Sequence, residues 1–149
     1  MSLINEDLIK INAKLKNKNE VINEIAEMVY KNKRTHNKEG LIKDILKREE
    51  EFSTSMGLGV AIPHAHSEYV TEPSLVFIKL SEAIEWGIDD NVKIIFGIIN
   101  SSKNSSEHHL KILANLARKL MDDDFRNKLN YIKNNEEALS ILSFLNNTD

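Results

Sequence analysis

The chain has 149 residues, 41% of them hydrophobic and 29% charged, with a formal net charge of -3 at pH 7 and no cysteine. This length suits one sizeable core, so we predict a single domain, residues 1–149, and the composition excludes a disordered or fibrous class. The balanced charge argues against a nucleic-acid partner, and the missing cysteines exclude disulfides and thiolate chemistry. Because no apolar run approaches bilayer length, we expect a cytoplasmic protein without direct membrane insertion.

The first third of the chain predicts a short strand and two helices. The strand is expected around Leu8 to Ile11. In the first helix, which Asn19 is predicted to cap, apolar residues recur at helical spacing: Val21, Ile22, Ile25, Ala26, Met28 and Val29. The second helix repeats this pattern with Leu41, Ile42, Ile45 and Leu46, after a break near Gly40.

The middle third is typical of β-strands, because β-branched and aromatic residues cluster there in short runs. Three strands are predicted: Val60 to Ile62, Leu75 to Leu80 and Val92 to Ile99. The last run is apolar almost without interruption, as in a central strand that is covered on both faces. We therefore place helices on both sides of the sheet.

The final third is helical again. A long helix is predicted from about Ser105 to Met121, with a stripe of Leu110, Leu113, Leu116, Ala117 and Leu120. A shorter helix follows Asp122, and the last runs from about Asn135 to Leu145. The predicted fold class is α/β, a three-layer α/β/α sandwich with a central mixed β-sheet and the order β-α-α-β-β-β-α-α-α.

The segment before His64 is the first candidate for chemistry. Gly57 and Gly59 precede an apolar triplet, and Pro63 ends the predicted strand because it has no amide donor. His64 is thereby held at the end of a strand. A neutral imidazole nitrogen attacks phosphorus near pH 7, so this histidine suits nucleophilic work, although a surface histidine in a turn has the same pattern.

The start of the long helix is the second candidate. Free backbone N–H groups and the positive end of the helix dipole attract anions there, and the hydroxyls of Ser105 and Ser106 add donors. His108 and His109 stand in the same turn. The alternative is that both histidines are ordinary solvated residues of a first turn.

The end of the second helix is the third candidate. Arg48 offers a planar fork for phosphate oxygens, and the hydroxyls of Ser53 and Thr54 are placed to complete such a cradle. A charged residue at a helix end is more often only solvated or in a surface ion pair. Each candidate therefore needs support from the others.

Taken together, the three segments resemble the type 2 enzyme IIA domains of the sugar phosphotransferase system, a group that includes fructose, mannitol and nitrogen-regulatory members. Gly59-Val60-Ala61-Ile62-Pro63-His64 resembles the active-site signature of that family. The Arg48-Glu49 pair with hydroxyl residues after it, and the segment His109-Leu110-Lys111-Ile112-Leu113, resemble its two other motifs. The resemblance covers nearly the whole chain.

This resemblance implies a phosphocarrier, that is, a phosphotransferase component that uses phosphohistidine. His64 would accept phosphoryl from phospho-HPr and donate it to enzyme IIB, while the sugar is phosphorylated as it crosses the membrane through enzyme IIC. His109 would contact the phosphoryl oxygens or tune the pKa of His64, and Arg48 would stabilise the added charge. Ser53, Thr54 and Ser106 are the phosphoryl-binding candidates. No metal or other cofactor is required.

Two features leave other functions open. Many relatives have glycine or threonine after the active histidine, whereas Ala65 and His66 follow it here. The substrate class is therefore open. No residue separates sugar uptake from a nitrogen-regulatory role, in which phosphorylation changes affinity for a protein target, so that role is an alternative. A metal site built from His64, His66 and either His108 or His109 is the alternative from another class.

Overall fold

The computed structural model describes residues 2–104 and 106–147. Its strands are β1 Ile9–Ala13, β2 Val60–Ala61, β3 His64–Ser67, β4 Ser74–Gly87 and β5 Asp90–Ser101. Its α-helices are α1 Lys18–Lys31, α2 Lys38–Glu51, α3 Ser106–Leu120, α4 Asp123–Asn130 and α5 Asn135–Leu142, with short 3-10 helices at Glu6–Leu8 and Ser143–Asn147. No helix within the described ranges has both the length and the apolar character needed to cross a membrane.

The strands form one mixed sheet in the order β1, β4, β5, β2, with β3 also paired to β5. The β4 and β5 strands are antiparallel, whereas the β1–β4, β2–β5 and β3–β5 pairs are parallel. The β5 strand is the central one, and nearly all of it is buried, as its continuous apolar run predicts.

Helices cover both faces of the sheet. On one face, a Cβ placed on Gly97 of β5 would lie 3.1 Å from the side chain of Ile25 in α1, so helix and sheet are in close contact there. On the other face, Lys79 of β4 donates to the carbonyl oxygen of Asn130, at the end of α4. The predicted α/β sandwich with a mixed central sheet is therefore confirmed.

The number of strands in the predicted order is wrong by one, because β3 was not predicted. Residues 64–67 contain two histidines, an alanine and a serine, none of which favours a strand. They become a strand by pairing with β5, where His64 lies opposite Ile98 and His66 opposite Asn100. His64 consequently opens a strand of the sheet instead of only following one.

Two local predictions also need correction. The cap of α1 is Asn17, whose side chain accepts from the Glu20 N–H, instead of Asn19. The buried stripe of α3 differs from the predicted leucine stripe, since Leu110 is exposed and the buried residues are His109, Ile112, Leu116 and Leu120. The helix itself begins at Ser106, and Ser105 lies outside the described residues.

Candidate functional site

His64 is held in one orientation by the backbone of its own segment. Its Nδ1 atom lies 2.8 Å from the carbonyl oxygen of Ile62, so Nδ1–H donates and Nε2 carries the free lone pair of the neutral ring. The preceding carbonyl, of Pro63, accepts the N–H of Ile98 in β5 at 3.0 Å, which anchors the segment to the central strand. The available nitrogen of this half-buried imidazole is therefore Nε2.

Two further histidines lie beside His64. The ring centroids of His64 and His109 are 5.4 Å apart, and the ring planes make an angle of 52°. His66 is stacked on His109 with centroids 5.9 Å apart and planes only 4° from parallel. Its Nε2 atom lies 3.1 Å from the carbonyl oxygen of Asn104. The strand β3 and the start of α3 thus build one cluster of three imidazoles.

This cluster opens into a cleft of about 430 Å³. The α2 helix supplies the opposite wall, which includes Arg48. The residues that line the cleft are Asp44, Lys47, Arg48, Glu51, His64, Ala65, His66 and His109. His64, His109 and Arg48, three residues that the family resemblance placed in one site, are therefore brought to one cavity.

Burial and positive neighbours keep both central imidazoles neutral. Burial is the largest cause that lowers the pKa of His64, and the charge of Arg48 lowers it further, against the hydrogen bond to the Ile62 carbonyl and the charge of Glu49. The pKa of His109 is lowered to about 4, mainly by burial and then by the nearby histidines. A neutral His64 retains the lone pair that a nucleophile requires.

Arg48 contributes a positive charge to the wall of the cleft. One of its terminal nitrogens, Nη1, donates to the carbonyl oxygen of Phe52 at 3.3 Å, which ties the side chain to the end of α2. The guanidinium cannot lose its proton near neutral pH, so the charge is permanent. The cleft thus combines a nucleophilic nitrogen with a fixed cation.

The three hydroxyl residues of the sequence prediction lie outside the cleft lining. Thr54 is buried, and its hydroxyl donates to Oε1 of Glu49 at 2.5 Å. Ser53 is exposed and its Oγ accepts the N–H of Ser55 at 3.3 Å. Ser106 is the exposed first residue of α3. None of these hydroxyls is among the groups that the cleft presents.

The buried carboxylate of Glu49 belongs to a separate network behind the cleft. It accepts from the N–H and the hydroxyl of Thr54 and from the indole N–H of Trp86, and it pairs with Lys18 at 3.2 Å. Such a carboxylate holds the chain after α2 in place. The Arg48-Glu49 motif therefore divides into one residue that faces the cleft and one that faces the core.

Sequence reasoning missed most of the α2 wall. Asp44, Lys47 and Glu51 line the cleft together with Arg48, at positions that share one face of a helix. That spacing was visible in the sequence, but charged residues at helical spacing usually form only a solvated face. Nothing in the pattern indicated which face of α2 looks toward β3.

The histidine cluster does not have the arrangement of a metal site. Within residues 2–104 and 106–147, no group of three histidine, cysteine or carboxylate side chains is placed to hold a metal ion. The parallel stacking of His66 on His109 keeps the two rings from converging on one point, and His64 uses Nδ1 for a carbonyl. The metal alternative therefore lacks the geometry it needs.

A family model identifies the class to which this fold and site belong. The model described as "Phosphoenolpyruvate-dependent sugar phosphotransferase system, EIIA 2" matches residues 2–144. The chain therefore belongs to the type 2 enzyme IIA family of that system, as the sequence motifs predicted.

Curated relatives include proteins named for the same system. The chain is 28% identical over 127 residues to multiphosphoryl transfer protein 2 of Escherichia coli (strain K12), of which it spans only 15%. It is 32% identical over 112 residues to the PTS system fructose-specific EIIA component of Haloferax volcanii, covering 74% of this chain and 72% of that protein. The match to the PTS system fructose-like EIIA component of Escherichia coli (strain K12) is 28% identical and covers 99% of this chain and 98% of the relative.

Solved structures share the fold. The nitrogen regulatory protein IIA-Ntr from Neisseria meningitidis superposes with a TM-score of 0.86 at 25% identity, covering 94% of this chain and 96% of that one. The mannitol IIA enzyme of Escherichia coli, solved in complex with phosphorylated mannitol IIB, superposes with a TM-score of 0.80 at 22% identity, covering 95% of this chain and 97% of that one.

Proposed function

We propose that this chain is a phosphocarrier that holds the phosphoryl group on Nε2 of His64. The observation that carries the proposal is the 2.8 Å contact between Nδ1 of His64 and the Ile62 carbonyl oxygen, which leaves Nε2 as the free nitrogen of a neutral ring in the cleft. A neutral imidazole with one nitrogen engaged by a carbonyl is the state that attacks phosphorus.

Acceptance of the phosphoryl group is a displacement at phosphorus. The lone pair of His64 Nε2 forms a new N–P bond while the bond between phosphorus and the donor breaks, and the donor keeps that electron pair. The ring becomes cationic, and its Nδ1–H remains on the carbonyl oxygen of Ile62, which stabilises the positive charge. Donation to the next carrier is the reverse displacement.

His109 and Arg48 stabilise the negative charge of the transferred group. His109 lies next to His64 and is neutral, so its N–H donates to a phosphoryl oxygen without fixing the group in place by a full charge. Arg48 supplies the cation on the other wall. Positioning and charge stabilisation are most of what phosphoryl transfer requires from a protein.

The hydroxyl residues take different roles in this proposal. Ser106 stands in the first turn of α3, three positions before His109, where the helix dipole and a hydroxyl both favour an anion. Thr54 acts through Glu49, which it hydrogen-bonds, and Ser53 contributes its hydroxyl only if the group extends toward the exposed end of α2.

We assign phospho-HPr as the donor and an enzyme IIB, working with a membrane IIC, as the acceptor. The support is family membership and the related mannitol IIA, whose structure was solved with its phosphorylated IIB partner. The curated relatives named for fructose favour a sugar of that class. These partners and the cysteine-free composition favour action in the cytoplasm.

A regulatory role is the second candidate, favoured by the superposition on the nitrogen regulatory protein from Neisseria meningitidis. It shares the chemistry of His64 and differs in the recipient. In that case phosphorylation changes the charge of the cleft and thereby the affinity for a protein target. Transfer of the phosphoryl group to a purified IIB distinguishes the transport role from this one.

The test is the intact mass after incubation with phosphoenolpyruvate, enzyme I and HPr. We expect one acid-labile phosphoryl group on the wild type and none on His64→Ala. His36→Ala is the matched control, because His36 is an exposed histidine that contacts Tyr69 and lies outside the cleft lining. A His64→Ala protein that still accepts phosphoryl, or a wild type that accepts none from active carriers, overturns the proposal.

A further inference from the structure

A buried carboxamide at the end of β5 has an unused donor. Asn100 is fully buried, and its Oδ1 accepts the backbone N–H of Ser101 at 2.9 Å. This bond identifies the other end of the amide as Nδ2, which has no hydrogen-bond partner within the described residues. A buried donor without an acceptor is costly, so a partner is expected nearby.

The acceptor that fits is also buried and unused. The side chain of His109 is nine-tenths buried, and its Nδ1 atom has no hydrogen-bond partner within the same residues. A neutral imidazole has one nitrogen that accepts and one that donates. In the described part of the chain, the buried side-chain atoms without a hydrogen-bond partner are Asn100 Nδ2 and His109 Nδ1.

The register of the sheet places both groups between the same two layers. Asn100 lies opposite His66, and Ile98 lies opposite His64, in the parallel pairing of β5 with β3. Paired residues of neighbouring strands project to the same face of a sheet. Asn100 therefore shares a face with the two histidines whose rings contact His109.

The α3 helix packs against this face of the sheet. His109 is the first residue of the buried stripe of α3, which continues through Ile112, Leu116 and Leu120. The ring is thus directed to the sheet, toward the face that carries Asn100. An unpartnered donor and an unpartnered acceptor consequently lie on the same side of the sheet.

We propose that Asn100 is a positioning residue for His109, and that its Nδ2–H donates to Nδ1 of His109 before phosphoryl transfer begins. The inference rests on the proposed function, in which His109 donates to a phosphoryl oxygen on His64. With Nδ1 held as the acceptor, the ring proton stays on Nε2, so the donor is oriented before the phosphoryl group arrives. Groups behind a functional histidine commonly fix its tautomer in this way.

A carboxamide is suited to this task where a carboxylate is not. An amide N–H donates to Nδ1 and keeps the ring neutral, whereas a carboxylate would accept a proton from Nδ1 and reverse the tautomer. Asn100→Asp therefore retains the acceptor for Ser101 and the size of the side chain, but it inverts the hydrogen bond to His109. Asn91→Asp is the matched control, since Asn91 is an exposed residue of the same strand.

The experiment is nitrogen-15 NMR of the histidine side chains, which reports the tautomer of His109 without any phosphoryl donor. We expect the Nε2–H tautomer in the wild type and in Asn91→Asp, and the Nδ1–H tautomer in Asn100→Asp. Single-turnover transfer from phosphorylated His64 to a IIB should slow about tenfold in Asn100→Asp, the effect of one lost buried hydrogen bond, and remain unchanged in the control.

The wild type alone also tests the proposal if Asn100→Asp fails to fold. A through-bond nitrogen coupling between Asn100 Nδ2 and His109 Nδ1 would establish the hydrogen bond. A wild-type His109 with its proton on Nδ1, or an Asn100→Asp protein with an unchanged tautomer or transfer rate, overturns the proposal. A wild type that accepts no phosphoryl but shows the coupling overturns the carrier function and retains the hydrogen bond.

Discussion

Two buried polar groups, one behind the cleft and one in its lining, differ in how fully the fold satisfies their hydrogen bonds. The carboxylate of Glu49 has four donors, two from Thr54 and one each from Trp86 and Lys18. The imidazole of His109 is buried to a similar degree, yet its Nδ1 is unpaired and its pKa is lowered to about 4. Both carboxylate oxygens of Glu49 have hydrogen-bond donors, whereas Nδ1 of His109 is buried without a hydrogen bond.

The difference separates a structural role from a chemical one. A satisfied buried carboxylate stabilises the fold and has little capacity left for a ligand. A neutral imidazole beside a nucleophile, with Nδ1 assigned to Asn100, offers its Nε2–H to a transferred group, and perturbed ionisation of this kind is common at functional sites. Changes on the His109 side should therefore affect transfer, and changes on the Glu49 side should affect stability.

The largest effect is expected from His109→Ala. The variant should still accept phosphoryl on His64, because the nucleophile is intact, but transfer to a IIB should slow about 100-fold, as when one donor to a transition-state oxygen is removed. Rapid-quench transfer from the phosphorylated variant measures this rate. His36→Ala should transfer at the wild-type rate, and an unimpaired His109→Ala would show that the cluster only fills space.

A smaller effect is expected when the pH is lowered. The pKa of His109 is about 4 in the folded state against an ordinary 6.5, so the unfolded state binds more protons between these values. The contribution of His109 to the free energy of unfolding is constant well above pH 6.5, and it becomes increasingly unfavourable to the folded state as the pH falls toward 4. Between pH 7 and pH 5 the free energy of unfolding should fall by about 2 kcal/mol from this residue.

Urea denaturation at the two pH values measures that loss. The lowered pKa of His64 acts in the same direction, so the wild type should lose at least as much as His109 alone predicts. The His109→Ala variant should lose less between pH 7 and pH 5. An equal loss in both proteins would contradict the assignment of the pH dependence to His109.

The smallest effect is expected from Thr54→Val, which removes the hydroxyl that donates to Glu49. We expect the free energy of unfolding to fall by about 1 kcal/mol, the usual worth of one buried hydrogen bond, with no change in phosphoryl acceptance. Thermal unfolding and intact mass measure the two quantities. Thr71→Val, at an exposed position, is the control. A loss of acceptance without a loss of stability would instead make Thr54 a phosphoryl-binding residue.

Much of the fold was predictable because its signals are local. The helical spacing in α1 and α2 and the apolar run of β5 predicted those elements within a few residues, since periodicity reports which faces are buried. The strand β3 was missed because its four residues have no strand preference of their own. Only pairing with β5, more than 30 positions later, makes them extended.

The candidate site was likewise predicted only in part. Pro63 before His64 and the start of a helix near His109 indicated two separate functional segments, and the family resemblance joined them with Arg48. The direction of the Thr54 hydroxyl was not predictable from the sequence, because it donates to Glu49 in the core and does not line the cleft. Asn100 gave no signal at all, since an asparagine that ends a strand is an ordinary turn residue in sequence.

By itself, the sequence determined the α/β class, the family and the three residues that meet at the cleft, because these depend on periodic burial and on short motifs. The tertiary structure alone decided that His66 stacks on His109, that α2 supplies the opposite wall, and that Asn100 shares a layer with His109. Those contacts join residues far apart in the chain. Their formation depends on strand register and helix packing, which no local pattern encodes.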